Sequence, residues 1–344
     1  ENQSTVLYPV AVPIVASILD RSTDQSFLTE EALKLLLLLL RLSPEYNPAL
    51  GLSLNACVDL LEDDFEHLRL VARIAQAILV KCGPSGLNNV SQAVARLFHI
   101  TLGRIRPGAA SYVYAVLETL LRDFPREGSR LLYESRVLSE MLGLTMSNHF
   151  GDGDYDPDRV VALYLNSIAR VGLAAPERLE ALLPLPGPGG RAVFGAQELV
   201  KTFLRLASSD LLGHLHGGRN RRHSLKLWLL FLVYLFPSDG QVHGAQLSAA
   251  VVESIDAILS SSFSFLQEYA KKSVLSYTLV DEFDEEDDLP TGTDWPELIE
   301  QRVANDVINR TNVPEAMKSK LDDRLVARVN SALVQTLRQV VGNV

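Results

Sequence analysis

The chain has 344 residues, of which 47% are apolar, and a formal net charge of −10. That length exceeds one ordinary single-core domain, a limit that stacked helices escape because each unit buries its face only on its neighbours. Seven acids lie between Asp281 and Asp288; without them 35 acids face 32 bases, so the remainder is nearly neutral and lacks the net basic face that a general nucleic-acid surface needs. Leu dominates the apolar set and aromatics are only 7%, which favours helices over sheets. The most apolar runs, Leu35–Leu40 and Leu227–Phe236, reach ten residues at most and are flanked by charge or Pro. A membrane span needs about 20, so both read as buried core helices. Cys57 and Cys82 sit among apolar residues and read as reduced core thiols rather than a disulfide.

Helical period dominates the chain. The spacing predicts helices at 5–19, 27–42, 48–62, 65–81, 86–103, 109–124, 127–147, 157–172, 177–183, 191–208, 221–236 and 243–261. Leu50, Leu54, Cys57, Val58 and Leu61 form one apolar stripe, and Leu68, Val71, Ala72, Ala75, Ile78 and Leu79 a second. Val113, Val116, Leu117, Leu120, Leu121 and Phe124 form a third, and Leu247, Val251, Ile255, Ile258 and Leu259 a fourth. No segment shows sustained strand alternation. Asn47-Pro48 and Asp156-Pro157 read as an N-cap followed by Pro at the first helical position, while Pro44, Pro125 and Pro237 follow helices that they cannot continue. Gly83-Pro84 and Pro107-Gly108 mark turns.

The helices pair, with first members starting near 5, 48, 86, 127, 177 and 221, a mean spacing of about 43 residues. HEAT and armadillo units repeat at ~40–47. The expected architecture is an all-α HEAT-repeat superhelical solenoid: about six pairs over 1–270, an acidic loop over 271–296, and C-terminal helices over 297–344 that complete the array. The chain begins at Glu1 inside a helical pattern, which reads as part of a larger protein.

Catalytic and cofactor motifs are missing. Gly83-Pro-Ser-Gly86 has neither the spacing nor the Lys-Ser/Thr ending of a phosphate loop. No Gly-x-Ser-x-Gly elbow occurs, and no His lies at zinc-ligand spacing from either cysteine. His214-x-His216 lacks an acidic or Cys co-ligand and reads as loop. Asp152, Asp154, Asp156 and Asp158 alternate like the opening of a calcium loop, but Pro157 and Leu163 stand where that loop needs Gly and Glu. The expectation is a non-enzyme without cofactor or metal.

Two charged features carry alternative readings. Arg219, Arg221 and Arg222 form either a solvated helix start or a contact for an acidic partner; Arg at a helix N-terminus opposes the macrodipole, so local stability does not explain it. Asp281, Glu282, Asp284, Glu285, Glu286, Asp287 and Asp288 form either a solubilising linker or an anionic arm that steers a basic partner. Phe283 and Trp295 flank that run as potential anchors, on the repeats or on a partner.

Several motifs, in their order and spacing, resemble the C-terminal part of an importin-β-type nuclear transport receptor of the importin-eleven branch. They are Leu7-Tyr8-Pro9…Pro13, Ser22-Thr23-Asp24, Leu28…Glu31-Ala32-Leu33-Lys34-Leu35, Leu131-Leu132 after Phe124-Pro125, and Phe194-Gly195…Glu198-Leu199. Arg221-Arg222…Leu225, Asp306-Val307 after the acidic run, and Val329-Asn330-Ser331-Ala332-Leu333…Leu337 continue the series. The resemblance implies a superhelical receptor that shuttles between cytoplasm and nucleus. Its partners would be a basic cargo protein, Phe-Gly nucleoporins and Ran GTPase, the last mainly through N-terminal repeats absent here. Neither nucleic acid nor membrane is an implied partner. Cargo would lie on the concave face made by the second helices, with Glu62, Asp63, Asp64 and the 281–288 acids as candidate contacts. The alternative is a HEAT scaffold or adaptor outside nuclear transport.

Overall fold

The computed structural model describes residues 3–20, 26–43, 45–150, 158–186, 193–207, 219–237, 245–261 and 294–320. Its helices are α1 (Gln3–Leu19), α2 (Thr29–Leu42), α3 (Pro48–Asp59), α4 (Leu68–Lys81), α5 (Pro84–Thr101), α6 (Pro107–Asp123), α7 (Pro125–Glu134) and α8 (Val137–Phe150). There follow α9 (Asp158–Ala174), α10 (Pro176–Ala181), α11 (Ala196–Ala207), α12 (Arg219–Tyr234), α13 (Ala245–Glu253), α14 (255–261), α15 (Asp294–Ala304), α16 (Val307–Arg310) and α17 (Val313–Lys320). The chain forms two compact units, one of Glu1–Val137 with Thr278–Ala304, the other of Leu138–Tyr277 with Asn305–Val344.

In the first unit the helices alternate between two rows. Helices α1, α3, α5 and α7 make one row, and α2, α4 and α6 the other. Pairs begin at residues 3, 48, 84 and 125, so the repeats measure 45, 36 and 41 residues. The three apolar stripes predicted between Leu50 and Phe124 are buried at every position. Local chemistry sets the starts. Pro48, Pro84, Pro107 and Pro125 each stand at a helix N-terminus, where the missing N–H costs nothing. Asn47 Oδ1 accepts from Ala49 N at 2.9 Å, the N-cap bond that the sequence suggests. At the other end of α5, Gly103 takes φ 69°, the left-handed turn that stops a helix. Between second helices, Gln76 of α4 donates to Thr119 of α6 at 3.3 Å.

In the second unit α9 and α12 lie side by side, α10 packs on α9, α11 lies beside α13, and α16 and α17 pack on α12. The sequence pairing of 177–183 with 191–208 and of 221–236 with 243–261 is therefore out of phase. Helices α10 and α11 together take one first-helix place, and α12 joins the row of α9. The reason lies in α12 itself: Leu227 to Phe236 is buried except at Tyr234, so the helix needs neighbours all round. Gly172 of α9 lets the Phe231 ring of α12 approach its backbone. Phe203 of α11 completes this cluster, its ring centroid 5.6 Å from Trp228 and 5.4 Å from Phe231.

Further helix boundaries differ from expectation; the segment expected as one helix over 243–261 is α13 and α14, divided at Ser254. The segment expected as one helix over 127–147 is two, separated at Ser135-Arg136, where Arg136 adopts φ 67°. Residues 193–194 pair with 185–186 as a two-residue antiparallel hairpin, Leu185 opposite Phe194, and α11 starts only at Ala196. There Gly195 N donates to Glu198 Oε2 at 3.0 Å, a capping contact that fixes the later start. The fold remains all-α in character. Among the described residues no helix is long and apolar enough to cross a membrane.

Candidate functional site

Glu62, Asp63 and Asp64 occupy the turn that joins α3 to α4, because α3 ends at Asp59 rather than running to 62. They therefore sit at the edge of a repeat, between its two helices, and not on the face of a second helix. All three are exposed. Asp64 Oδ1 accepts from Glu66 N at 3.0 Å, which rigidifies the turn from within. Glu62 is also held from α5: the Arg96 guanidinium donates to Glu62 Oε1 through one nitrogen and to Asp59 Oδ1 through the other. The Glu62 hydrogen bond, foremost, raises the Arg96 pKa, with Asp59 adding to it against desolvation. Arg104 stacks on Phe65 of the same turn, its guanidinium carbon 5.9 Å from the ring centroid. The turn is thus a fixed anionic edge with the Arg96 and Arg104 guanidiniums set against it.

The backbone of Arg219, Arg221 and Arg222 forms the first turn of α12, followed by buried His223. Asp281, Glu282, Asp284, Glu285, Glu286, Asp287 and Asp288 lie outside the described residues, as do Phe283, His214 and His216. Asp152, Asp154 and Asp156 also lie outside them, while Asp158 starts α9 and accepts from Arg205 at 3.3 Å.

Trp295 is buried in the first unit. Arg41 at the end of α2 and Lys81 at the end of α4 lie 5.9 and 5.7 Å from its ring centroid. Each cation stands in the last turn of its helix, where it also complements the macrodipole. In the second unit Arg170 of α9 makes a bidentate, buried pair with Asp306, its two terminal nitrogens 3.2 and 2.6 Å from the carboxylate oxygens. Asp306 also caps α16 through Ile308 N at 3.1 Å. Lys226 of α12 donates to the Asn309 carbonyl at 3.3 Å, and burial lowers its pKa despite the opposing pull of Asp306. Sequence reading missed this network. Asp306 before a short helical pattern was its one local sign, and Arg170 lies 136 residues away.

A family profile described as Importin-11-like, TPR repeats, matches residues 1–340. The chain belongs to that family. Importin-11-like membership places it in the importin-β superfamily of nuclear transport receptors, as the sequence motifs imply. The profile's description names tetratricopeptide repeats, whose period is ~34 residues; of the three repeats measured in the first unit of this importin-like chain, those of 45 and 41 residues fall in the HEAT range and that of 36 lies nearer the tetratricopeptide period. No curated protein matches the chain.

Proposed function

We propose that this chain is the cargo- and pore-facing part of a nuclear import receptor. It binds a basic cargo protein and the Phe-Gly repeats of nucleoporins, and cargo leaves when the GTP form of Ran binds the longer receptor. Membership of the importin-11-like family over residues 1–340 carries this reading. Two features of the first unit support it. The Glu62–Asp64 edge is anionic, exposed and rigid, which suits a basic ligand and costs little ordering on binding. Leu7, Val10 and Ile14 of α1 and Leu52 of the neighbouring α3 are large apolar side chains that are 50–63% exposed, an arrangement suited to taking single Phe rings. The acids 281–288 are proposed as a second cargo contact, and Arg219, Arg221 and Arg222 as a contact for an acidic partner. A role in import entails shuttling between cytoplasm and nucleus.

The test is retention of the 344-residue chain on immobilised Phe-Gly repeats, with Ile14→Asp/Leu52→Asp as control. The parent is expected to be retained and the variant released early, with an unchanged melting curve because both side chains are exposed. Cargo release by Ran is measured on the longer receptor. Retention of neither chain would leave a helical-repeat scaffold or adaptor outside nuclear transport.

A further inference from the structure

Charge is sorted along the turns of the first unit. Asp59, Glu62, Asp63, Asp64 and Glu66 fall within eight residues, and the next 51 residues, His67 to Leu117, hold no acid and six Lys or Arg. The fold brings the two parts of this pattern side by side. Helix α3 packs on α5, so the α3–α4 turn neighbours the turn that joins α5 to α6. Arg104 of the second turn lies over Phe65 of the first, and Arg96 of α5 reaches back to Asp59 and Glu62. Glu62, Asp63, Asp64 and Glu66 are exposed on one side of this junction, Arg104 and Arg106 on the other.

Arg96, Arg122 and Arg205 each pair with a carboxylate. Among the described residues no carboxylate pairs with Arg104 or Arg106. The Phe65 ring takes the Arg104 guanidinium, and Pro107 keeps Arg106 in extended backbone at the start of α6. An edge that presents acids on one turn and unneutralised arginines on the next is complementary to a partner with the inverse order of charge. We propose that Arg104 and Arg106 set the specificity of the Glu62–Asp64 edge: the cargo segment that lies there is bipolar, basic over the α3–α4 turn and acidic over the α5–α6 turn. Neighbouring helices stand about 8–10 Å apart and an extended chain covers roughly 3.3 Å per residue, so the acids of the cargo lie about three residues from its bases. A uniformly basic segment would set like charge against the two arginines. The inference deepens the cargo contact proposed above and rests on it.

The test is fluorescence anisotropy on the 344-residue chain at low salt, with labelled peptides capped at both ends. One peptide carries two adjacent Lys, with two Glu beginning three residues further on. A second has Gln in place of both Glu. Each is also made in reversed sequence, which covers either direction of the bound chain. The bipolar peptide is neutral and the Gln peptide cationic, so undirected attraction to a chain of net charge −10 favours the Gln peptide. The proposal requires the opposite ranking. In one direction the bipolar peptide should bind roughly fivefold more tightly, the gain from two exposed ion pairs, and Arg104→Glu/Arg106→Glu should invert the order. Equal or tighter binding of the Gln peptide to the parent would overturn the specificity and leave the basic contact standing. A ranking unchanged in the double variant would also overturn it. Binding of neither peptide would overturn both the inference and the cargo contact beneath it, while retention on Phe-Gly repeats reports separately on the transport reading. Should the double variant fail to fold, Arg106→Gln decides: it should reduce the preference to roughly twofold, and an undiminished preference would place its source elsewhere.

Discussion

The α2–α4–α6 row of the first unit and the α9–α12 pair of the second are both rows of second helices, yet they are cemented differently. The first is built from apolar stripes among which Arg41, Arg73 and Glu118 are also buried, and Gln76–Thr119 links α4 to α6. The second buries a bidentate ion pair, a lysine, and the Asn166–Ser224 hydrogen bond at 2.9 Å among its apolar side chains. Apolar stripes tolerate drift, because one aliphatic side chain substitutes for another at modest cost. Buried charges do not, since removing one partner strands the other. Loss of one member of the bidentate Arg170–Asp306 pair is therefore expected to do the most damage.

The largest effect is expected at Arg170→Ala, which leaves Asp306 buried without its guanidinium. A loss of about 3–5 kcal/mol is expected, read by urea unfolding, with hydrogen exchange rising in α9 and α12. A loss below about 1 kcal/mol would mean that the pair contributes no more than a surface bridge. Gly172→Ala comes next. Its new methyl would overlap the Phe231 ring, and about 1–3 kcal/mol is expected to be lost. Phe231→Leu in the same chain should recover part of that loss, which a double-mutant cycle measures.

The two units should also respond to alkali with opposite signs. Burial pushes the Cys57 and Cys82 thiols of the first unit up to about 12, from 9.0. Between those values the unfolded chain loses protons that the folded chain keeps, so stability falls as pH rises, by about 1.4 kcal/mol per pH unit for each thiol. Lys226 of the second unit is lowered, so the folded chain is the first to lose its proton. Its contribution rises as pH climbs from the lowered value toward 10.5. Urea midpoints measured from pH 8 to 10 should fall with pH in the parent and fall less in Cys57→Ala/Cys82→Ala. Lys226→Met should steepen the fall. The smallest effect belongs to Arg96→Ala, a half-exposed pair worth roughly 0.2–1 kcal/mol. The same change removes one cation from the Glu62–Asp64 edge, so binding of a basic peptide should tighten at low salt and lose that gain at high salt.

This contrast also explains what was legible in the sequence. Every residue of the four quoted stripes is buried, since period and burial share one cause. The start at Asn47-Pro48 was legible from its cap, whereas those at Pro84, Pro107 and Pro125 were read two residues late because these prolines also mark the turns they end. The break at Arg136 was not, because a left-handed turn at a non-glycine residue leaves no local mark. The phase of α10 to α13 was not legible either, since all four carry apolar residues and pairing depends on which helix has the most surface to hide. Of the candidate site, the Glu62–Asp64 acids stand out in the sequence as a run of charge, but their place at a repeat edge followed only from the early end of α3. Arg96, which neutralises part of that edge, lies on another helix. Trp295 was marked as a potential anchor by its place beside the acidic run, while Arg41 and Lys81 read only as ordinary helix ends.

The prolines at helix starts have a consequence for how such a chain can change. A residue that precedes proline is turned away from helical backbone, so α3, α5, α6, α7 and α10 cannot lengthen backwards into the turns before them. Residues inserted into such a turn by evolution cannot slide a helix along its register; they must bulge outward and leave the packed rows in place. The proline stops therefore divide the chain into positions where length is conserved and positions where it is free, and new recognition loops can be acquired at the latter without repacking the interior.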